Sequence, residues 1–356
     1  MYPSKRSSTY GIFVKNQVEQ LRKKGLIVEV AAIKDPRRGK FHTIKKHIVW
    51  FMKILYFFTI RGKKYDVVHA HYIFPSGWAA LLFKKFFKAR IVITSHGGDI
   101  DQMPQKSKRI FRKTKRILQA SDQVLAVGEQ LKVDMINKFG ISEGKITVLN
   151  MGVDRGIFSP RNKEELKQKL QLRKQTNHIL FVGNIIEAKG IIDLLDAYNL
   201  LRKKVNNIEL HIIGSIANEE FKRFIDEKIL SENIPKVSFY KPKEQTELAK
   251  WMSAVDVFVL PSHIEGFGLV ALEAMSSHTP VVATKVGGLQ YLLRDGAGIL
   301  VEKQNAKSLA KGIEQVLFDE EKRQQLIEAG EKKATQYDQE IILSKLLKIY
   351  DFHNER

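Results

Sequence analysis

The sequence predicts an α/β protein built from two doubly wound domains with parallel sheets. Short runs rich in Val, Ile, Leu and Phe alternate with segments whose apolar residues have helical spacing, which is typical of this class. Many runs are continuously apolar, as expected for strands buried on both faces of a parallel sheet. The series is interrupted once near the middle, and 356 residues are enough for two domains.

The runs predict five strands before the interruption, at residues 28–33, 66–72, 90–96, 123–127 and 146–150. They predict six strands after it, at residues 178–182, 208–214, 237–240, 256–260, 280–284 and 298–301. Residues 151–174, rich in Gly, Pro and charge, interrupt the series. We therefore predict one domain over residues 1–154, a second over 155–335, and a C-terminal helix over 336–356 that packs back on the body.

The start of the chain departs from this scheme. A doubly wound domain normally opens with a central buried strand, but residues 1–4 are loop-like and lead to a helix from about Ile12. Losing a central strand would leave unpaired backbone on both of its neighbours. We therefore expect that the first strand is missing from domain 1–154 and that the recorded start lies downstream of the real one.

Composition excludes several classes of protein. There is no cysteine, so disulfides and thiolate metal sites are excluded. The longest apolar stretch, residues 48–60, is shorter than the roughly 20 residues of a spanning helix, and no signal peptide is visible, so we expect a cytoplasmic protein. The net charge of +21 is concentrated in residues 1–150, which hold 30 Lys and Arg against 10 Asp and Glu.

The strongest candidate site lies in residues 261–275, which read Pro-Ser-His-Ile-Glu-Gly-Phe-Gly-Leu-Val-Ala-Leu-Glu-Ala-Met. The segment follows a predicted strand and runs into an apolar helix, where glycines let backbone N–H groups approach a ligand. The N-terminus of that helix suits a phosphate. Glu273 stands among apolar residues in the helix, and its carboxylate is costly there unless a sugar or ribose diol satisfies it.

The same segment also fits the dinucleotide pattern G-x-G-x-x-A, from Gly266 to Ala271. That pattern requires its first glycine at the strand end and an acid about 20 residues later. Several residues separate the predicted strand from Gly266, and residues 284–290 contain no acid. The dinucleotide interpretation is therefore poorly supported.

Glu265 and Glu273, with seven residues between them after a Pro-Ser strand end, resemble the family-4 glycosyltransferases, which have the GT-B fold. Further segments resemble that family in the expected order, at residues 11–15, 95–99, 150–160, 181–190 and 280–288. The resemblance implies two Rossmann-like domains that face each other across a cleft. Residues 1–154 would bind the acceptor, and residues 155–335 would bind a nucleotide sugar.

The resemblance also implies roles for single residues. Lys189 would neutralise the donor diphosphate and stabilise charge on the leaving group, and Asn184 stands where the family often has an arginine. Glu265 would face the transferred sugar, and Glu273 would take the ribose hydroxyls. Donor contacts are further implied for Gly11, Gly183, Asn184, Gly214, Phe267, Gly268, Leu269 and Val270.

In the acceptor domain, His96 follows a predicted strand and would meet the sugar near the reacting carbon. His69 and His71 are expected on opposite faces of their strand, so that one of them is only packed. Asp99 and Asp101 have the D-x-D spelling of metal-diphosphate sites in another glycosyltransferase fold. Their position after a His-Gly-Gly turn differs from that context, and we predict no required metal and no cofactor besides the nucleotide-sugar co-substrate.

By the same resemblance the anomeric configuration is retained, and the leaving diphosphate takes the acceptor proton on the same face. We expect a glycan or lipid-linked acceptor in cell-surface polysaccharide or glycolipid synthesis. An apolar stripe, Ile44, Ile48, Phe51, Leu55 and Phe58, runs beside lysines and suits an anionic membrane. The alternative is that this stripe packs on the sheet. Because the excess of lysines remains in either case, we expect peripheral docking on the cytoplasmic membrane face.

Two other functions stay open from the sequence. A basic nucleic-acid-binding α/β protein would explain the charge, but it leaves Glu265 and Glu273 unexplained, and no aromatic stacking motif is present. We therefore expect no nucleic-acid partner. A nucleotide-sugar epimerase of GT-B fold would use the same donor site without an acceptor, and the basic acceptor domain argues mildly against it.

Overall fold

The computed structural model describes residues 1–4, 9–35, 37 and 39–350. The chain divides into two compact units. The first unit is Met1–Met151 together with the residues from Glu340 onward, and the second unit is Gly152–Gln339. The sequence places these boundaries after residues 154 and 335. The last part of the predicted C-terminal helix, residues 351–356, lies outside the described residues.

The first unit contains a four-stranded parallel sheet in the order β1-β2-β3-β4. Its strands are β1 (Val67–His71), β2 (Arg90–Ser95), β3 (Gln123–Ala126) and β4 (Ile146–Val148). The helices before residue 152 are α1 (Ile12–Lys23), α2 (Lys40–Tyr56), α3 (Trp78–Phe87), α4 (Gly98–Asp101), α5 (Lys108–Ala120) and α6 (Glu129–Phe139). Strand β2 is buried over five of its six residues, because it is paired on both sides and packed on both faces.

The strand predicted over residues 28–33 does not form, and that prediction is wrong. All six residues are half-buried and lie outside any strand. Together with β1 they line a cavity of about 1440 Å³. A strand is defined by its ladder of hydrogen bonds to a neighbour. Within the described chain, no strand is paired with these residues, so an apolar run of the right composition stays irregular.

The second unit contains a six-stranded parallel sheet in the order β10-β9-β8-β5-β6-β7. Its strands are β5 (Asn177–Val182), β6 (Ile208–Ile213), β7 (Val237–Tyr240), β8 (Val257–Leu260), β9 (Val281–Thr284) and β10 (Ile299–Val301). The first strand of the unit, β5, pairs with β6 on one side and β8 on the other. The strand order therefore reverses at β5 and β8, and ligands of such sheets bind beyond the carboxyl ends of the strands at that point.

Helices cover both faces of this sheet and complete the chain. They are α7 (Lys163–Lys169), α8 (Ile191–Arg202), α9 (Glu219–Ser231), α10 (Gln245–Ala254), α11 (Leu269–Ser276), α12 (Leu289–Leu292), α13 (Ala306–Phe318), α14 (Glu320–Gln336) and α15 (Gln339–Tyr350). Helix α15 returns to the first unit, where the Tyr350 hydroxyl lies 2.5 Å from His69 Nδ1. The predicted α/β class with parallel sheets in both halves is confirmed.

Candidate functional site

The predicted donor-binding residues of the second unit collect at the carboxyl ends of β5, β6 and β8. Gly183 follows β5 and Gly214 follows β6, and the two backbones approach so closely that a Cβ on Gly214 would lie 1.8 Å from the Gly183 carbonyl oxygen. The Ser215 hydroxyl donates to Asn184 Oδ1 at 2.6 Å. Because no side chain fits at Gly214, a ligand can approach the backbone closely at the carboxyl ends of β5 and β6.

Lys189 and Glu265 form an ion pair at this edge of the sheet. The Lys189 ammonium donates to Glu265 Oε2 at 2.6 Å, and the two side chains are 23% and 16% exposed. The loops that carry them are joined by a backbone hydrogen bond from the His263 N–H to the Ala188 carbonyl, 2.9 Å long. The structure therefore brings together two predicted site residues that are 76 positions apart.

The loop after β9 supports the backbone of Glu265, a role that sequence reasoning did not assign. The Gly288 N–H donates to the Glu265 carbonyl at 3.0 Å. Gly287 has a φ of 45°, and a Cβ there would lie 2.0 Å from the same carbonyl oxygen. The Gly287-Gly288 pair was a visible signal in the sequence, but which loop it supports depends on the packing of β8 beside β9.

Helix α11 starts directly at the site. Gly268 precedes it in a left-handed conformation, with φ 93°, and Leu269 and Val270 form the first turn. The first N–H groups of a helix have no partner inside the helix and attract anions. Phe267 packs edge-on against Tyr337, with ring centroids 5.5 Å apart. The predicted phosphate-binding amides are thus placed at a helix N-terminus, as the sequence indicated.

Glu273 is buried in the second turn of α11 and is 6% exposed. Burial raises the pKa of its carboxyl group to about 8, and a hydrogen bond with Gln245 opposes part of that rise. At neutral pH the carboxyl group is therefore protonated in this structure. A ligand that presents hydroxyl donors would stabilise the carboxylate and lower its pKa again. This is the chemistry that a ribose diol supplies.

His263 and Asp193 form a further polar pair beside Glu265 that the sequence gave no reason to expect. His263 Nε2 lies 2.6 Å from Asp193 Oδ2, and both side chains are largely buried. Asp193 belongs to α8, the helix that follows the loop carrying Lys189. The pair therefore holds the loop after β8 against the helix that follows β5.

In the first unit, His96 follows β2 and lies among aromatic rings. Its ring centroid is 4.8 Å from that of Phe13 and 4.7 Å from that of Tyr72. Burial is the main cause that lowers the pKa of His96 to about 3, so its ring is neutral at physiological pH. Phe13 belongs to α1, and Gly11, with φ 74°, precedes that helix. The predicted acceptor-domain residues Gly11 and His96 are thus connected through Phe13.

Asp99 holds the His96 loop in place. Its Oδ1 accepts hydrogen bonds from the Ser95 hydroxyl at 2.8 Å and from the N–H groups of His96 and Gly97 at 3.1 and 3.0 Å. Its Oδ2 accepts from the Ile73 N–H at 3.1 Å. Burial nevertheless raises its pKa above the usual value for an aspartate. The sequence places Asp99 in the 95–99 segment that resembles the family and in a D-x-D spelling, but it does not show that this carboxylate holds the His96 loop.

The expectation that His69 and His71 point to opposite faces is wrong. Side chains alternate along a strand, so residues two positions apart share a face. The two rings stack with centroids 4.5 Å apart, and His71 Nδ1 lies 3.1 Å from His96 Nε2. His69 bonds to Thr94 Oγ1 at 2.7 Å. The three histidines therefore form one row beside the end of β2.

The acidic pair of the D-x-D spelling does not act together here. Asp101 lies 3.6 Å from the Lys138 ammonium, while Asp99 is used by the His96 loop. Across the described residues, the group with metal-ligand spacing is His178, Glu209 and His211. His178 stands near the start of β5, and its Nδ1 is already bonded to His211 Nε2 at 3.0 Å.

Comparison with known proteins gives two family matches. The model of glycosyl transferases group 1 matches residues 162–333, and that of glycosyltransferase family 4 matches residues 11–156. The chain is 31% identical to a D-inositol 3-phosphate glycosyltransferase of Paenarthrobacter aurescens, over 74% of this chain and 67% of the relative. It is 25% identical to the putative teichuronic acid biosynthesis glycosyltransferase TuaC of Bacillus subtilis, over 88% and 86%.

A solved structure is also similar over most of the chain. HepE of Anabaena, solved in complex with UDP and glucose, has a TM-score of 0.76 and 18% identity, over 93% of this chain and 88% of that one. This likeness confirms the predicted GT-B fold. Among the described residues, no helix has the length and apolar character needed to cross a membrane.

Proposed function

The chain belongs to the glycosyltransferases of group 1 and family 4, and we propose that it transfers a sugar, with retention of configuration, from a nucleotide diphosphate sugar to a glycan or lipid-linked acceptor. The observation that carries this proposal is the edge of the second sheet, where Lys189, Glu265 and buried Glu273 stand beside the start of α11. The UDP found in HepE supports a nucleotide donor for such a site.

Each group of this edge has a task in binding the donor. The diphosphate accepts hydrogen bonds from the N–H groups at the start of α11. It also accepts from the Lys189 ammonium, whose ion pair with Glu265 is then broken. The freed Glu265 carboxylate accepts from hydroxyls of the sugar. Glu273 ionises as the ribose hydroxyls donate to it. Binding therefore exchanges one internal ion pair and one buried proton for contacts with the donor.

The transfer of the sugar needs no nucleophile from the protein. The bond between the anomeric carbon and the phosphate oxygen breaks, and the leaving diphosphate keeps the electron pair. The acceptor oxygen bonds to the anomeric carbon on the same face, and its proton passes to a diphosphate oxygen. Lys189 stabilises the charge on the leaving group, and neutral His96 positions the sugar. No step requires an added metal ion.

A donor screen tests this proposal. The full chain is incubated with a panel of UDP-, GDP-, ADP- and dTDP-sugars, with and without lipid-linked acceptors, and nucleotide release is measured. We expect release that depends on the acceptor for one class of donor. Interconversion of the sugar without an acceptor would instead indicate an epimerase. If no nucleotide sugar binds, the proposal fails.

The acceptor half rests on the surface of α2. Four of the five residues of the stripe that the sequence left open lie on the surface, since Ile44, Ile48, Phe51 and Leu55 are 61%, 56%, 56% and 42% exposed. The fifth, Phe58, follows α2 and packs against Phe83 and Phe87. Only Ile54 of this helix is buried. An exposed apolar helix face of this length is unusual on a protein without a partner for it.

The charge around this face fits an anionic lipid surface. Residues 40–65 contain seven Lys and Arg and no Asp or Glu. Lys45, Lys53, Lys63 and Lys64 are exposed beside the apolar stripe. Apolar insertion and attraction between lysines and anionic headgroups reinforce each other, at about 1 kcal/mol per basic residue near the surface. We propose that α2 docks the protein on the cytoplasmic face of a membrane, where a polysaccharide or glycolipid precursor is held as acceptor.

Vesicle co-sedimentation tests the docking. Phosphatidylcholine vesicles are compared with vesicles that also contain an anionic lipid, and we expect binding only to the second kind. The double variant I48S/F51S should bind at least about tenfold more weakly. The matched control replaces two exposed apolar residues of the second unit, Leu230 and Phe224, by serine and should bind as the parent does. Equal binding to both kinds of vesicle would refute the docking.

A further inference from the structure

One face of the second sheet carries a cluster of three polar side chains that the proposed reaction does not use. They are His178 on β5 and Glu209 and His211 on β6. His178 and Glu209 are partners in the register of the two strands, and residues two positions apart on a strand share a face. His178 is 0% exposed and His211 is 2% exposed. Polar groups at this depth are costly unless each has a partner, so the contacts of the cluster decide what it does.

The three side chains direct ligand atoms towards one point. His178 Nδ1 lies 3.0 Å from His211 Nε2 and 3.8 Å from Glu209 Oε2. One ligand atom from each residue lies within 4.8 Å of the other two. Two nitrogens bound to a tetrahedral Zn²⁺ ion at roughly 2.0–2.1 Å lie about 3.3 Å apart. The two imidazoles therefore already have nearly the separation that they need as ligands of one ion.

The other nitrogen of each imidazole already has a partner. His178 Nε2 lies 3.0 Å from the Arg173 carbonyl oxygen, which can only accept, so the ring carries its proton at Nε2 and a lone pair at Nδ1. His211 Nδ1 lies 3.3 Å from the Tyr240 hydroxyl. Histidines that bind metals almost always donate their remote N–H to a carbonyl or a similar group, which fixes the orientation and the tautomer of the ring. Both rings of the cluster have this arrangement.

Without an ion, the two rings can form a chain of hydrogen bonds, but that chain leaves Glu209 unexplained. His211 Nε2 then donates to His178 Nδ1, and the Tyr240 hydroxyl donates to His211 Nδ1. Glu209 Oε2 lies 3.8 Å from His178 Nδ1, which is beyond hydrogen-bond distance, and it faces a nitrogen that holds a lone pair and no proton. Two electron-rich atoms repel each other in this position, whereas a cation between them attracts both.

Glu209 also connects the cluster to the surface. Its Oε1 lies 3.4 Å from Arg173 Nε, and the two side chains are 15% and 69% exposed. An ion can therefore enter past the exposed guanidinium and meet the carboxylate first. Burial lowers the pKa of both His178 and His211, so that their rings are neutral at physiological pH, which is the form that binds a metal.

We propose that His178, His211 and Glu209 bind a divalent transition-metal ion of the Zn²⁺ class, with water in the fourth position. Two imidazoles and one carboxylate are a ligand set that Zn²⁺ accepts. On binding, the His211 proton moves from Nε2 to Nδ1, where the Tyr240 oxygen accepts it, so that the two facing nitrogens both offer lone pairs.

The ion has a structural role, because the cluster lies away from the donor edge. From His178 to Gly183 the chain runs roughly 16 Å along β5. The ion links β5 to β6 and stabilises the second unit, and it takes no part in the transfer of the sugar. The inference is independent of the donor chemistry proposed above.

Titration with Zn²⁺ tests the site. The full chain is dialysed against EDTA, and binding is measured by calorimetry and by thermal unfolding. We expect one ion bound per chain through the cluster. With free Zn²⁺ at about 100 times the Kd, the midpoint of unfolding should rise by at least about 5 °C. The variant H211Q should bind Zn²⁺ at least about 100-fold more weakly, and E209Q at least about tenfold more weakly.

Two matched controls come from the same unit. His278 also lies beside a glutamate, at 3.3 Å from Glu331, and its φ of 59° is tolerated by asparagine. Glu314 pairs with Lys204, also at 3.3 Å. The variants H278N and E314Q should bind Zn²⁺ as the parent does. Should H211Q fail to fold, E209Q decides, since it changes a carboxylate at the rim of the cluster.

Co²⁺ provides a second readout that locates the ion. The Trp251 ring lies 5.2 Å from the His211 ring, so bound Co²⁺ should quench the fluorescence of Trp251 saturably. The variant W251F should lose this quenching and keep the visible absorption of four-coordinate Co²⁺. If the parent binds no Zn²⁺, or if H211Q and E209Q bind it as tightly as the parent, the site is refuted and the cluster is a hydrogen-bond chain only. None of these readouts depends on transferase activity.

Discussion

At neutral pH the buried carboxyl group of Glu273 is protonated, and the proposed donor needs it ionised. With a pKa of about 8 in the free protein, about nine-tenths of the molecules carry the proton at pH 7. Binding of a nucleoside diphosphate then includes the removal of that proton. We therefore predict that affinity for UDP, or for the diphosphate that the donor screen selects, rises with pH.

The magnitude follows from the same pKa. If the bound carboxylate has a pKa well below 7, the apparent Kd falls about tenfold between pH 7 and pH 9, and binding at pH 7 releases about 0.9 proton. The terminal phosphate of the nucleotide has a pKa near 6 and is ionised throughout this range. Isothermal titration calorimetry in two buffers of different ionisation enthalpy measures both the Kd and the proton count.

The variant E273Q provides the control. It keeps the shape of the side chain but has no proton to release, so its Kd should not change between pH 7 and pH 9. It should also bind more weakly than the parent at pH 9, where the parent carries the carboxylate. If the parent shows the same Kd at both pH values and releases no proton, the assignment of Glu273 to the ribose hydroxyls is refuted.

Three further predictions follow from the site. The raised pKa of Glu273 makes the folded state lose stability as pH rises from about 4.5 to 8. The free energy of unfolding of E273Q should therefore exceed that of the parent by as much as about 5 kcal/mol at pH 8.5 and should equal it at pH 4.5. Urea unfolding that shows no such difference between the two pH values would contradict this. K189M should lower kcat by a factor of about 10²–10³, because the leaving group loses its cation. The control K243M, which removes a surface ion pair of the same 2.6 Å length, should retain the parental kcat. Equal losses of kcat in the two variants would mean that the Lys189 pair is only structural. D99N should lower kcat by about tenfold through the His96 loop while the KM for the donor stays constant; a rise in the KM with unchanged kcat would argue against this positioning role.

Much of the second unit follows from local sequence patterns. Runs rich in Val, Ile, Leu and Phe predicted all six of its strands. Several of these runs, such as β8 and residues 281–283 of β9, are continuously apolar, because burial on both faces of a parallel sheet leaves no alternation in the sequence. The Gly268 junction and Glu273 could be recognised for a similar reason. A glycine between a strand and a helix, and an acid within an apolar helix, are unusual at the level of single residues.

Contacts between residues that are far apart in the sequence could not be predicted from local patterns. Nothing local to Lys189 or Glu265 indicates that they pair across 76 positions, or that Gly287 lies under the Glu265 carbonyl. His263 and Asp193 are 70 positions apart. These contacts depend on which strands become neighbours, and the order β9-β8-β5 is decided by the packing of the whole sheet.

The sequence by itself determined the class of fold, the series of strands and the donor-binding segment, because periodicity and glycine placement act over a few residues. The tertiary structure decided that the stripe of α2 is left exposed, and that residues 28–33 do not form a strand although their composition favours one. A helix face or a β-strand is completed only by a neighbour that the local sequence does not contain. This explains why a run rich in apolar residues forms a buried strand at β5, whereas another such run, residues 28–33, stays irregular beside the cavity lined by β1.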